Sequence, residues 1–299
     1  YNFMPVLYWA RTDLLHDNPN GSTNLYMDWG EFAYFDIYIL QREAAREDWA
    51  KFSQEHKWGR AFVAEADAIK TKSTPEFDHA MVENIIIKTQ GFVNGNISEE
   101  DFDPVGKFRS LLALYKDIDR DTLRENMRYF LAAIMPTCDE WGMNMCVHPD
   151  DPPMQLLGLP RIVTCDEDIE WFLNAVDNPH NGLTFCCGSL SAGAQNDIPA
   201  LARKYAKRTH FVHLRSTNVE PNGNFIEADH LAGRANLIEV CRIFEEQNPN
   251  LPMRVDHGRC ILGDEKGSFN AGYSFHGRML ALGKMDGVMA TVRYMNANK

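Results

Sequence analysis

Short apolar runs and amphipathic helical stretches take turns through the second half of the chain, and that alternation restricts the fold more than any other feature. From Thr122 to Trp141, apolar residues fall at Leu123, Met127, Phe130, Leu131, Ile134 and Cys138 with a helical period, and Thr122 and Glu125 are spaced as a capping box. The run MNMCVHPD follows as a strand; Asp166 then opens a helix carrying Ile169, Phe172, Leu173 and Val176, and LTFCCGS follows as the next strand. A helix from about Ile198 to Arg208 leads into HFVHLRS, one from about Ala235 to Glu246 into LPMRVDHG, and a last from about Phe275 to Lys284 into an apolar tail. Strands and helices in strict turn imply an α/β fold, a parallel sheet covered by helices. With the opening run YNFMPVLYW, five strands are expected.

A (β/α)8 TIM barrel and an open doubly wound sheet share this alternation. No GxGxxG or GxxxxGK[ST] run lies between a strand and a helix, which counts against the two common nucleotide-binding versions of such sheets. On the barrel reading, eight strands are needed, so the first three lie outside the given sequence, which opens directly on a strand with no methionine. The expected organisation is a single barrel domain over 1–299, N-terminally incomplete, with a helical and loop insertion over about 12–120. Within that insertion TDLLHDNPNGSTN reads as a loop through its Asn-Pro and Asn-Gly pairs, long enough to cover a site. Helical spacing runs from Phe32 to about Lys70 and from about Pro75 to Lys88, and FVNGNISEEDFDPVG reads as a loop.

The 42 acidic and 30 basic residues give a formal charge of -12, which argues against a nucleic-acid-binding surface. No apolar run is long enough to span a bilayer. Seven cysteines, an odd number with Cys186 and Cys187 adjacent, do not form the pattern of a disulfide framework and fit a reducing, cytoplasmic setting. Asn-x-Ser matches at Asn20 and Asn96 would matter only in a secreted protein.

Four consecutive strands each end in a residue able to bind a metal: His148, Cys186, His213 and Asp256. Strand ends of a parallel barrel converge on one rim, where such folds place their active sites. Singly, each has a plain alternative: a hydrogen-bonded histidine, or a cysteine serving as a small buried hydrophobe. Together, two imidazoles, a thiolate and a carboxylate suit Zn, Fe(II), Co or Mn better than Ca or Mg. Arg215 and Arg254 stand beside these positions and could receive a carboxylate, although Arg161, Arg215 and Arg259 could equally neutralise neighbouring acids such as Asp150 and Asp151. His257 follows Asp256, and a turn at Gly258 could bring both inward; His257 and Tyr273 are candidates for proton transfer.

The motifs YNFMPVLYWARTDL, HPDDPP, LLGLPRIV, LTFCCGSLSAG, FVHLRS, MRVDHGR and AGYSFHGR, in that order through almost the whole chain, resemble mannonate dehydratase of the bacterial hexuronate-degradation type. The resemblance implies a xylose-isomerase-like barrel, Mn(II) or Fe(II) as cofactor, and a lyase acting on D-mannonate with loss of water to give 2-dehydro-3-deoxy-D-gluconate. It implies a homodimer or larger homo-oligomer. By the same resemblance the metal ligands fall on His148, Cys186, His213 and Asp256, with Cys186 preferred to Cys187 because Cys187 takes the variable place before Gly188 and Ser189. His257 and Tyr273 match residues implicated in proton transfer, and Asn2, Trp9 and Arg11 match a loop of the substrate pocket. The stretch AGAQNDIPALARK departs from the family pattern before Asn196 and Asp197, where a substrate contact is expected to differ. A metal-dependent isomerase or a non-catalytic protein with a metal-stabilised barrel would carry the same ligand set.

Overall fold

The structure, a computed structural model, describes residues 1–6, 8–89 and 97–298. The opening run pairs only through β1 (Asn2–Phe3), far less than the apolar stretch suggests. Pro5 lacks an amide to donate to a ladder, and the chain leaves the sheet there. The stretch whose Asn-Pro and Asn-Gly pairs predict a loop over a site forms an antiparallel hairpin, β2 (Asp13–Asp17) and β3 (Thr23–Met27). Its tip closes where Asn18 donates to Ser22 O at 2.8 Å and Gly21 adopts a left-handed φ of 76°.

A helical block follows: α1 (Trp29–Tyr34) continuing into a π-turn at Phe35–Ile39, α2 (Ala45–Glu55), α3 (Phe62–Lys70), α4 (Pro75–Val82) continuing into a second π-turn at Glu83–Lys88, and α5 (Pro104–Ala113). Of the loop expected over 92–106, residues 92–96, Asn96 among them, lie outside the described residues. Asp103 already caps α5 through Gly106 N at 2.8 Å. Trp29, Trp49, Phe52 and Phe62 pack ring against ring in this block, and Trp29 Nε1 donates to Gly223 O at 2.8 Å, tying it to the second half of the chain.

The regular alternation then begins with α6 (Arg120–Trp141) and β4 (Met145–Val147). The cap of α6 is Asp119, which accepts from Thr122 N at 2.8 Å, so Thr122 lies inside the helix rather than at its boundary. There follow α7 (Asp166–Ala175), β5 (Asn181–Cys186), α8 (Cys187–Ala192), α9 (Ile198–Tyr205), β6 (Thr209–His213), the short strands β7 (Thr217–Val219) and β8 (Phe225–Glu227), α10 (Leu237–Gln247), β9 (Met253–Arg254) and α11 (Phe275–Ala297). Where an apolar tail was expected, α11 continues to Ala297.

The main sheet is five-stranded and parallel in the order β1-β4-β5-β6-β9. A doubly wound sheet reverses its strand order at a switch point; this one advances in one direction throughout, which is the winding of an α/β barrel. Val147, Leu183, Phe185 and Val212 from its strands join Phe172, Leu201 and Phe244 from the helices in one buried core. Burying each such side chain contributes about 1.5–3 kcal/mol. A second, four-stranded antiparallel sheet, β2-β3-β8-β7, joins the hairpin to the segment after β6, an arrangement the sequence did not suggest.

A candidate metal centre at the strand ends

Register brings the chemistry together. Cys186 and His213, the last residues of β5 and β6, are directly paired, and His213 pairs in turn with Arg254. His148 continues β4 by donating its amide to Phe3 O at 2.7 Å. Its Nδ1 lies 2.7 Å from Pro149 O, which makes Nδ1 the protonated nitrogen and leaves Nε2 as the donor to any ion. Ligand atoms of His148, Cys186 and His213 lie within 4.8 Å of one another, and all three residues are buried. Asp256 closes the group, with Oδ2 3.5 Å from His213 Nδ1.

The donor set fits a divalent ion on two observations. Among the described residues neither buried ring nitrogen of His213 makes a hydrogen bond of good geometry, Asp256 Oδ2 standing 3.5 Å from Nδ1; such groups are costly unless something else satisfies them. Burial alone would push the Cys186 thiol up, but Arg215 and His148 outweigh it and hold the thiol well below its ordinary range, favouring the thiolate that metals bind. Asp256 behaves likewise: against burial, His257, His213, Arg215 and Arg254 hold its carboxyl well below the usual range.

The backbone turn that brings Asp256 and His257 both to the site lies at Asp256 itself, whose φ is 56°. Aspartate tolerates that left-handed region better than most residues. Gly258, expected to supply the turn, serves close packing instead: a Cβ there would lie 2.9 Å from the Gly277 carbonyl carbon.

A cleft opens over these strand ends, and Asn2, Trp9, His148, His213, Arg215, Arg254, Asp256, His257 and Tyr273 line it. Cys186 sits at its base, 0% exposed, and Ser189 Oγ donates to its sulfur at 3.2 Å. Arg11 does not line the cleft. It is fully buried, its guanidinium donating to Asp151 Oδ1 at 2.9 Å, to Glu227 Oε1 at 2.7 Å and to Ala10 O at 2.7 Å. Arg215 is as fully engaged, with Asp256 at 2.8 Å, Glu227 at 3.2 Å, Ser189 at 2.9 Å and Asp151. Gly188 makes room for it, since a Cβ there would lie 2.4 Å from Arg215 Cγ. Arg254 differs: Nη2 reaches Tyr273 Oη at 3.1 Å and Asp256 Oδ1 at 2.8 Å, while its buried Nε has no partner. Arg161 and Arg259 neutralise Asp150 and Asp229, away from the cleft lining.

Tyr273 Oη donates to Asp256 Oδ1 at 3.0 Å, and burial together with Asp256 raises its pKa well above the ordinary phenol value, so it remains a proton donor. The rings of Trp9 and Tyr273 flank His257, with centroids 5.7 and 5.1 Å away. Glu227, which no sequence feature marks, joins this cluster: its oxygens lie 2.9 and 2.8 Å from His257 Nδ1. Although burial opposes ionisation, Arg215, His257 and Arg11 bring its pKa down to about 2. Asn196 bonds to Thr164 O and Leu190 O, and Asp197 caps α9, so neither lines the cleft. The hairpin flanks the site from behind, with Thr23 and Cys260 exchanging backbone hydrogen bonds of 3.0 Å.

Residues 1–299 match the family model described as D-mannonate dehydratase (UxuA). A mannonate dehydratase from Marinomonas sp. is 40% identical over 298 residues, covering 96% of this chain and 72% of the relative. One from Chromohalobacter salexigens is 36% identical over 304 residues, covering 99% of this chain and 74% of the relative. The crystal structure of mannonate dehydratase from Streptococcus suis serotype 2 superposes with a TM-score of 0.66 at 28% identity, covering 99% of this chain and 65% of that one.

Proposed function

This chain belongs to the D-mannonate dehydratase family, and we propose that it removes water from D-mannonate to give 2-dehydro-3-deoxy-D-gluconate, with His148, Cys186, His213 and Asp256 holding Mn(II) or Fe(II). What supports this reading most is the buried His213, with no hydrogen bond of good geometry among the described residues, beside a thiol held toward its thiolate form. Mixed nitrogen, sulfur and oxygen donors favour a first-row transition ion over Mg(II) or Ca(II). When bound, the ion would polarise the substrate oxygens beside C2 and spread the negative charge that develops there.

The chain's own residues supply the rest. Arg254, whose side chain lines the cleft and is 36% exposed, receives the substrate carboxylate. Asn2, Trp9 and Arg215 shape the wall, and Arg215 and Arg11 neutralise Asp151 and Glu227 behind it. His257 takes the proton from C2. Tyr273 gives its proton to the C3 hydroxyl as the C3–O bond breaks, so water leaves, a C2–C3 double bond forms, and the resulting enol becomes the 2-keto acid.

The test is turnover of D-mannonate by metal-stripped protein refilled with Mn(II), read as formation of a 2-keto-3-deoxy acid. Release of an isomer with no loss of water, or no product at all, overturns the reading. His257→Asn should keep its bound metal and lose roughly 10²-fold or more in kcat, a usual acid/base contribution.

A further inference from the structure

We infer that Glu227 is a positioning residue that fixes which nitrogen of His257 carries the proton, and so presents the basic Nε2 to the cleft. The inference rests on the reading of His257 as the proton-transfer residue and goes beyond it by assigning what orients that histidine. Glu227 ends β8 of the antiparallel sheet, thirty residues upstream of its partner, and is only 5% exposed. It does not line the cleft; His257 does. Both carboxylate oxygens face Nδ1, at 2.9 and 2.8 Å, and Oε1 also accepts from Arg11 Nη2 at 2.7 Å and Arg215 Nη1 at 3.2 Å. A carboxylate held by two guanidinium groups can only accept, so Nδ1 must donate, and in the neutral ring Nε2 is left with its lone pair.

The asymmetry of those bonds makes the inference sharply testable. In Glu227→Gln the amide oxygen goes where the two arginines point, at the Oε1 position. The amide NH2 then falls at the Oε2 position and offers a proton to Nδ1, which drives the histidine proton to Nε2, the nitrogen that should be accepting. Glu227→Asp keeps the charge with a shorter reach and retains the original tautomer.

The experiment is nitrogen-15 NMR of the histidine side chains in protein filled with diamagnetic Zn(II), the His257 signals being assigned by their loss in His257→Asn, together with kcat and KM on D-mannonate for the Mn(II)-filled proteins. The expected results are an Nδ1–H tautomer in the wild type, an Nε2–H tautomer in E227Q, a fall of roughly 10²-fold in kcat with KM changed by less than about threefold, and substantial recovery in E227D. In the His257→Asn background, E227Q should cost almost nothing further, because Glu227 acts through His257. An Nε2–H tautomer in the wild type overturns the inference, and that spectrum decides the matter even if E227Q does not fold. So does an impaired H257N beside an unimpaired E227Q, an outcome that leaves the proton-transfer reading standing. Wild-type turnover by H257N would bring down both, since Glu227 would have nothing to position.

Discussion

Buried charge dominates the residue scale. Asp151, Glu227 and Asp256 are each held more acidic than an ordinary carboxyl: against burial, Arg11 and Arg215 act on Asp151, Arg215 on Glu227, and the two histidines and Arg215 on Asp256. A carboxyl more acidic folded than unfolded stabilises the fold above its unfolded pKa and loses that stabilisation as pH falls through its folded pKa. For Glu227 the window runs from 4.5 down to about 2. At about 1.4 kcal/mol per pH unit, it is worth on the order of 3 kcal/mol. The denaturant midpoint of the wild type is therefore expected to drop steeply between pH 5 and 3, and that of Glu227→Gln less steeply; parallel curves would contradict the account. The ligand candidates could be read in the sequence because each sits at the tip of a short apolar strand. Glu227 could not: it ends a three-residue strand with no motif around it, and its meaning comes from arginines and a histidine distant in the chain.

At the scale of elements, periodicity served where apolar contrast is strong, as in α6, α7 and α10, and failed where local chemistry decides. The opening run looks like a long strand, but Pro5 ends its pairing after β1. The Asn-Pro and Asn-Gly pairs signal a loop, whereas they turn a hairpin whose strands are too short and polar to announce themselves. The tight junction of β5 and α8 gives the clearest prediction here. Gly188→Ala would place a Cβ 2.4 Å from Arg215 Cγ and displace the guanidinium that joins Asp151, Glu227 and Asp256. A destabilisation of about 1–3 kcal/mol is expected from such overpacking, together with loss of bound metal. Thermal unfolding and metal analysis of the variant check both, and a fully stable, metal-replete G188A would show that Arg215 has room to spare.

For the whole molecule, the alternation of strands and helices was enough to imply a parallel sheet, but only the observed order of β1, β4, β5, β6 and β9 separates barrel winding from a doubly wound sheet. That order gathers four strand ends on one rim, while the second sheet brings Glu227 to the same place from outside it. At that rim an imidazole pair, one thiolate and one carboxylate are proposed to bind a single cation. X-ray absorption at the metal edge of the Mn(II)-filled protein tests it most directly. One sulfur scatterer among nitrogen and oxygen neighbours is expected in the wild type, absent in Cys186→Ser. A wild-type spectrum with no sulfur, or a sulfur that persists in Cys186→Ser, would contradict it.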